Sequence, residues 1–512
     1  MIEVEVHQQL SNLLRQSPEL NWPHQLTMAR LVARGLRLGR SALIQVPGGE
    51  QHRLSYLLPA LMWPGPTLLC APAAIQNQLI HDEIPWLQSR LNLSKPVLQG
   101  EDWPSPDFGG LLLMDPLIWL RKRLRPQSST TLSPEQQSAV PTQVPLLLDR
   151  VERLESWVQE VLTTSISTPD WSRLQRAVPQ MADRISDIHV ELTLKLLQRP
   201  LSPCLFLEDD LALLDQILVP LPAEIPAPWS WFRQQVNREH AVIWADIHRA
   251  TGQVSIHVSP ICLDEIMSSI WATQPLVMIG EAVDLDRSAT SFRQRLGLPD
   301  LTALRFLPET SFGLDQVGLE LMVYTPRLPV PNSPLFRDHI LSQLKRLICD
   351  GGGEVVILVS DQPLQAQIAT ALAAEFGTRV VVNGSNQHEN SILVCSWDYW
   401  LEDRVTLLPP TLLAIVTLPF PSMEDPLVAA RVSYLRRKRQ DWFRTYMLPT
   451  AAAHLQQAVS PLRARQAGMA RTAKSEPLLA ILDSRIITRS YGSQLLESLG
   501  PIVRSPQGQL LA

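Results

Sequence analysis

Short apolar runs recur along the chain, each closed by a turn and followed by a stretch whose apolar positions repeat at helical spacing. Trp22 to Leu38 has the helical spacing and leads into a first buried strand, Ser41 to Val46. A Pro-Gly-Gly turn separates that strand from a helix over Arg53 to Leu61, and strand Thr67 to Ala71 and a helix from Ala73 to Leu91 follow. Leu111 to Met114 and Pro145 to Asp149 are further apolar runs. Alternating strands and helices predict a parallel sheet covered on both faces, an α/β nucleotide-binding pattern.

From Glu152 to Leu197 the periodicity is helical, and Pro200 to Pro228 is punctuated by proline, which predicts an inserted, mainly helical module over 156–238. Ala241 to His257 alternates as strand, turn, strand around Thr251-Gly252. It is assigned to 239–325, where the chain returns to the first unit begun by 1–155. The proline-rich stretch in 326–334 reads as an extended linker. A second α/β unit fills 335–512, with strands at Val355–Val359, Arg379–Val382, Ile392–Cys395, Leu412–Leu418 and Leu478–Leu482. Gln127 to Thr142, polar and rich in Pro and Ser, reads as a surface loop.

Composition narrows the function classes. The 512 residues are 45% hydrophobic and 19% charged, enough to bury more than one core. The net charge of -5 gives no global basic field, so nucleic-acid binding requires a local patch. Five cysteines at wide, irregular spacing match no metal pattern and fit a reducing cytoplasm. The eleven histidines show no metal-ligand spacing. The opening MIEVEVHQQL lacks the basic region of a signal peptide, and prolines interrupt the uncharged run from Leu54 to Ile80, so no membrane partner is expected.

The candidate chemistry begins at Ala42 to Leu61, where strand, glycine turn and helix N-terminus make the usual phosphate cradle. A nucleoside-triphosphate loop also needs a Lys for the phosphates and a Ser/Thr hydroxyl for Mg²⁺. After Gly48 and Gly49 the chain offers Gln51, His52 and Arg53.

Longer segments give a family resemblance. LPFPSMEDPLVAAR (Leu418 to Arg431), LPTAAAHLQQ (Leu448 to Gln457) and ILDSRIITRSYGSQLLESLG (Ile481 to Gly500) resemble the second lobe of DinG/XPD-type superfamily 2 DNA helicases. WPHQLTMA around Gln25, the YLLPAL helix, QNQLIHDEIPWLQ and FRQRLGL resemble the first lobe. The resemblance implies two RecA-like, P-loop NTPase-type lobes, an arch-like insertion in the first, and ATP-driven unwinding of DNA loaded on single strands.

Carried over position by position, the family's catalytic residues are replaced. The phosphate-loop Lys position is His52 and the Mg²⁺-hydroxyl position is Arg53. Asp149 keeps the metal-ligand position, whereas Arg150 stands where the water-polarising Glu is expected. Asp149 is expected to pair with Arg150 or Arg153. The coupling segment reads Gly280-Glu281-Ala282-Val283-Asp284, without hydroxyls, and after Gln457 the arginine-finger position is Pro461, with Arg463 out of register. No cysteine lies between Cys70 and Cys204, so the family's iron–sulfur cluster has no ligands there. Gln25, Gly48, Gly49, His52, Arg53, Asp149, Gln457 and Arg463 are therefore the degenerate nucleotide-site positions.

A second candidate site is the basic stretch Arg436, Arg437, Lys438, Arg439 and Arg444 with Trp442, extended by Phe443, Tyr446, Arg431, Arg463, Arg465, Arg471 and Lys474, which suits phosphates and a stacked base. Trp157, Trp171, Trp229 and Trp231 are candidates for core packing or a stacking platform. Three readings follow: a single-strand DNA-binding pseudo-helicase without Mg-ATP or an iron–sulfur cluster; an active divergent helicase using Mg-ATP; and a protein-interaction subunit that binds no nucleic acid.

Overall fold

A computed structural model describes the chain except residues 18–19, 21, 126–139, 239, 300, 307–320, 332, 385–389, 404–406, 469–476 and 505–512. Most of the predicted surface loop, and both Arg471 and Lys474, lie outside the described residues. The first parallel sheet takes β1 (Ala42–Gln45), β2 (Thr67–Cys70), β3 (Val97–Gln99), β4 (Leu111–Met114) and β5 (Leu146–Asp149) before the insertion. The insertion contributes β6 (Thr164–Ile166), β7 (Cys204–Leu205), β8 (Ala241–His248) and β9 (Gln253–Pro260). The first sheet is completed by β10 (Leu276–Gly280) and β11 (Thr302–Arg305), in the order β11-β1-β10-β5-β2-β4-β3. Its inner strands are near-continuous Leu, Ile and Val because helices cover both faces.

The second sheet is built from β12 (Leu321–Tyr324), β13 (Val355–Leu358), β14 (Val380–Val382), β15 (Ile392–Cys395), β16 (Leu412–Ile415), β17 (Leu478–Ile481) and β18 (Ile502–Arg504). All its pairings are parallel, in the order β14-β15-β13-β16-β17-β12-β18. β12 lies between β17 and β18, so the second lobe begins by Leu321, earlier than the linker position predicted at 326–334.

The insertion differs from the sequence expectation in the same way. β8 and β9 pair antiparallel with each other, and β9 and β8 pair with β6 and β7, giving a four-stranded sheet β6-β9-β8-β7. The hairpin thus belongs to the inserted module and not to the returning part of the first lobe. Ile243, Ala245, Ile247, Val254, Ile256 and Val258 turn one sheet face onto the module's helices. Val242 and Trp244 on the other face, with Ile261, pack against Leu427, Ala430 and Tyr434 of the Pro426–Arg437 helix in the second lobe. Trp171 and Trp229 are fully buried in an edge-to-face pair 4.7 Å apart, and Trp157 is buried as well, so these three are core. Trp231 is 43% exposed and lies under the Arg125 guanidinium at 5.1 Å.

Candidate functional site

The cleft is set by strand ends. β10 lies between β1 and β5, with Gln45 opposite Gly280 and Asp149 opposite Ile279, so the segments leaving these strands share one edge. This is the carboxyl edge of a parallel sheet, where α/β folds bind ligands. Gln457, Ser460 and Pro461 on the Leu448–Gly468 helix of the second lobe face it.

Most charged side chains in this cleft lie against an opposite charge of the chain itself. Arg53, 4% exposed, donates to Gln78 Oε1 at 2.7 Å and Glu83 Oε1 at 3.0 Å, and its other terminal nitrogen is 3.2 Å from Glu50. Asp149 accepts from the Tyr56 hydroxyl at 2.7 Å and from the Arg150 backbone N–H at 2.8 Å. His52 Nε2, buried without a hydrogen bond, is 4.0 Å from Asp149 Oδ1. Burial alone raises the Asp149 carboxyl, but His52, Tyr56 and Arg53 outweigh it and hold the group below its ordinary range. Burial, joined by the same carboxylate, pushes the Tyr56 hydroxyl well up.

The expected pairing of Asp149 with Arg150 or Arg153 is not what forms. Arg150 adopts a left-handed backbone (φ 65°) that turns its side chain to Glu152, with Nε 2.8 Å from Oε1 but without hydrogen-bond alignment. Arg153 crosses to Glu402 of the second lobe at 2.7 Å. Glu152 in turn accepts from the Glu281 backbone N–H at 2.9 Å. A β-carbon on Gly280 would stand 2.2 Å from Glu152 Oε2, so only glycine admits that carboxylate.

What remains open is a cavity of about 180 Å³, below the roughly 300–1,000 Å³ of ordinary small-molecule sites. Its walls carry the carboxylates Glu50, Asp149, Glu152 and Glu281 against the guanidiniums Arg53 and Arg150. Four carboxylates against two guanidiniums leave these walls net acidic.

The other nucleotide-site positions serve the chain itself. Gln25 accepts from Trp22 N–H at 3.1 Å and donates to the Gln51 carbonyl at 3.2 Å. Gln457 donates across the lobes to the Ala282 carbonyl at 2.8 Å. Arg463 turns away to the Leu499 and Pro501 carbonyls, where burial lowers its pKa to about 10. Gly49 takes a positive φ of 122°. At Gly48 an added β-carbon would lie 1.3 Å from Ser460 Oγ, so this residue of the second lobe packs directly on the Gly48 backbone. Gly48→Ala is expected to force the lobes apart and lower stability by roughly 1–3 kcal/mol. Chemical denaturation checks it: Ser460→Gly placed on top should recover most of that stability.

Sequence reasoning did not single out Tyr56 or Ser460 as site residues, nor Glu152 and Glu155. Glu152, three residues after Asp149, was open to detection as its neighbour on one turn; Ser460 reaches Gly48 only through lobe closure. The closure has a second contact. Glu155 Oε1 accepts from Arg431 of the second lobe at 2.6 Å and Oε2 from Arg295 of the first at 3.0 Å. Arg431 also lies over the Tyr446 ring at 4.9 Å.

On the basic stretch, Arg436, Arg437, Lys438 and Arg439 are exposed where the Pro426–Arg437 helix ends and Arg439 turns left-handed (φ 57°). Arg436 stacks on half-buried Trp442 at 4.9 Å, and Arg444 is 3.7 Å from Asp441. Tyr446 is buried and Phe443 packs against Phe420 and Tyr491, which leaves Trp442 beside the charges, with Tyr434 of the preceding helix under the Lys438 ammonium at 5.5 Å.

Two parallel-sheet lobes, an insertion after the strand that ends in Asp149, and a cleft between the lobes define a RecA-like helicase-type architecture. Residues 410–502 match the family model described as a helicase C-terminal domain. The chain is 24% identical over 284 residues to the ATP-dependent DNA helicase YoaA of Escherichia coli (strain K12), covering 53% of this chain and 43% of that protein. It is 23% identical over 279 residues to the ATP-dependent helicase DinG of Mycobacterium tuberculosis, covering 51% and 40%. The matches thus span less than half of these relatives. The structure aligns with S. tokodaii Xpd4 at TM-score 0.58 and 11% identity, over 95% of this chain and all of that one. The chain thus carries a helicase C-terminal domain, is homologous over about half its length to the YoaA and DinG helicases, and shares the fold of Xpd4. No helix among the described residues is long and apolar enough to cross a membrane.

Proposed function

We propose that this protein is a pseudo-helicase that binds single-stranded DNA through its second lobe and does not hydrolyse ATP. The observation that carries the reading is Ser460 seated against Gly48, together with a cleft whose cations are held by its own carboxylates. The residues do not fit Mg-ATP: an arginine stands at each of the Mg²⁺-hydroxyl and water-polarising positions, and proline at the finger position. They do not fit an iron–sulfur cluster either, because four thiolates are needed and the segment from β3 to β4 contains no cysteine. YoaA and DinG are named as ATP-dependent helicases; in this reading the present chain keeps their scaffold and DNA partner without the hydrolytic step.

The test is ATP binding and turnover with and without single-stranded DNA, beside Asp149→Ala. The expected result is DNA binding with no ATP turnover above the variant's background. Turnover stimulated by DNA and abolished by Asp149→Ala would establish the active-helicase reading instead, for which the retained, ionised Asp149 is the supporting feature. Absence of both activities would leave a protein-interaction role.

A further inference from the structure

The Gln25–Leu38 helix carries a polar stripe that the Ile2–Gln16 helix borders without closing over it. Met28, Ala29, Val32, Ala33 and Leu36 are buried, whereas Arg30, Arg34 and Arg37 are exposed on one stripe at intervals of four and three. Such intervals place side chains one above another along a helix. The three arginines line a groove of about 400 Å³ with Leu31 on one wall and, on the other, Met1 and the Glu3 and Val4 side chains of the Ile2–Gln16 helix. Met1 is 78% and Val4 50% exposed, so the groove has an apolar edge beside its charges.

One of the three cations has a partner. Glu3 Oε1 accepts from Arg37 Nε at 2.7 Å. Arg30 and Arg34 make no hydrogen bond or ion pair among the described residues. In a chain of net charge -5, two unpaired guanidiniums about 6 Å apart along a helix axis beside exposed apolar side chains form a local exception. The Glu3 contact is a template for what completes it: a carboxylate on a neighbouring helix, with an apolar residue one position on.

We propose that this groove docks an acidic amphipathic helix of a partner protein, whose carboxylates pair with Arg30 and Arg34 while its apolar face covers Met1, Val4 and Leu31. Charge complementarity and the apolar edge favour such a helix over nucleic acid, for which the groove offers no aromatic ring to stack a base. The proposal is independent of the fate of the nucleotide cleft, since no residue of the groove lines that cleft.

The test measures fluorescence anisotropy of the full-length protein with two labelled probes, a synthetic Leu/Glu amphipathic helix and a single-stranded oligothymidylate. Arg30→Glu/Arg34→Glu is expected to weaken peptide binding at least about tenfold and to leave oligothymidylate binding unchanged. A peptide with Gln for every Glu is expected not to bind, and Arg15→Glu, exposed on the Ile2–Gln16 helix outside the groove, serves as the neutral control. Both substituted arginines are exposed, and an unchanged melting temperature excludes misfolding as the cause. Wild-type peptide affinity in the double variant overturns the proposal, as does absence of peptide binding at low salt. Loss of oligothymidylate binding alone would assign the groove to nucleic acid, and loss of a dimer seen by sedimentation would assign it to a second copy; either result overturns it.

Discussion

Replacing Glu155 with Ala is expected to destabilise the protein by roughly 3–5 kcal/mol, because it leaves two mostly buried guanidiniums facing each other without their shared carboxylate. Arg295 and Arg431 are 14% and 15% exposed, and Glu155 is 19% exposed, so little solvent compensates. Burial opposes the Glu155 charge, but Arg295 and Arg431 overcome it and hold the carboxyl at about 2, against 4.5 unperturbed. The difference corresponds to about 3 kcal/mol.

Because the folded value is depressed, this contribution is fully present above pH 4.5 and declines as pH falls toward about 2. Urea unfolding at stepped pH values between these limits should show wild-type stability falling toward that of Glu155→Ala. Parallel pH dependence in the two proteins would show that the carboxylate is not coupled to the arginines. The lobes share this ion pair, so the variant should also open the cleft, which is readable as faster backbone amide exchange around Gly48. Replacing all three side chains with apolar residues of similar size is expected to recover stability, since a filled interface needs no charges.

Much of the fold was legible because both sheets are covered on both faces. Burial on both sides forces unbroken runs such as Leu146-Leu-Leu-Asp149 and Val355-Val-Ile-Leu358, and these are visible without knowing any partner. What sequence could not settle was membership. The alternation of the Ala241–Pro260 hairpin is the same whichever sheet it joins, and only the pairing with β6 and β7 assigns it to the insertion. Leu321–Tyr324 is an apolar run like the others, and its place beside β17 moved the lobe boundary.

The site divides in the same way. The positions at His52, Arg53, Arg150 and Pro461 were found by their offsets from readable segments, because those offsets are local. Their partners are not: Tyr56 reaches Asp149 across 93 residues, and Gln457 reaches Ala282 across 175. A left-handed Arg150 sends its charge to Glu152, and no propensity rule predicts that for arginine. Of these four positions Arg53 alone makes side-chain hydrogen bonds, to Gln78 and Glu83, whereas His52 and Arg150 rest against Asp149 and Glu152 without one.

Removing charge from the turn after the Pro426–Arg437 helix tests the other half of the proposed function. Arg437→Ala/Arg439→Ala is expected to lower affinity for a single-stranded oligonucleotide at least about tenfold at moderate salt and to flatten log K against log salt by roughly 0.7 for each phosphate no longer neutralised. Arg444→Ala should do less, since Asp441 already offsets that charge. Trp442→Ala discriminates between two modes of binding. A base stacked on the ring is worth about 1–3 kcal/mol, but Arg436 covers the face at 4.9 Å. The expected effect is therefore below that range in the intact protein and rises into it in an Arg436→Ala background, where the ring is free to take a base. Equal effects in both backgrounds would mean that Trp442 only supports the helix end. An unchanged salt slope in Arg437→Ala/Arg439→Ala would remove this turn from the nucleic-acid surface altogether.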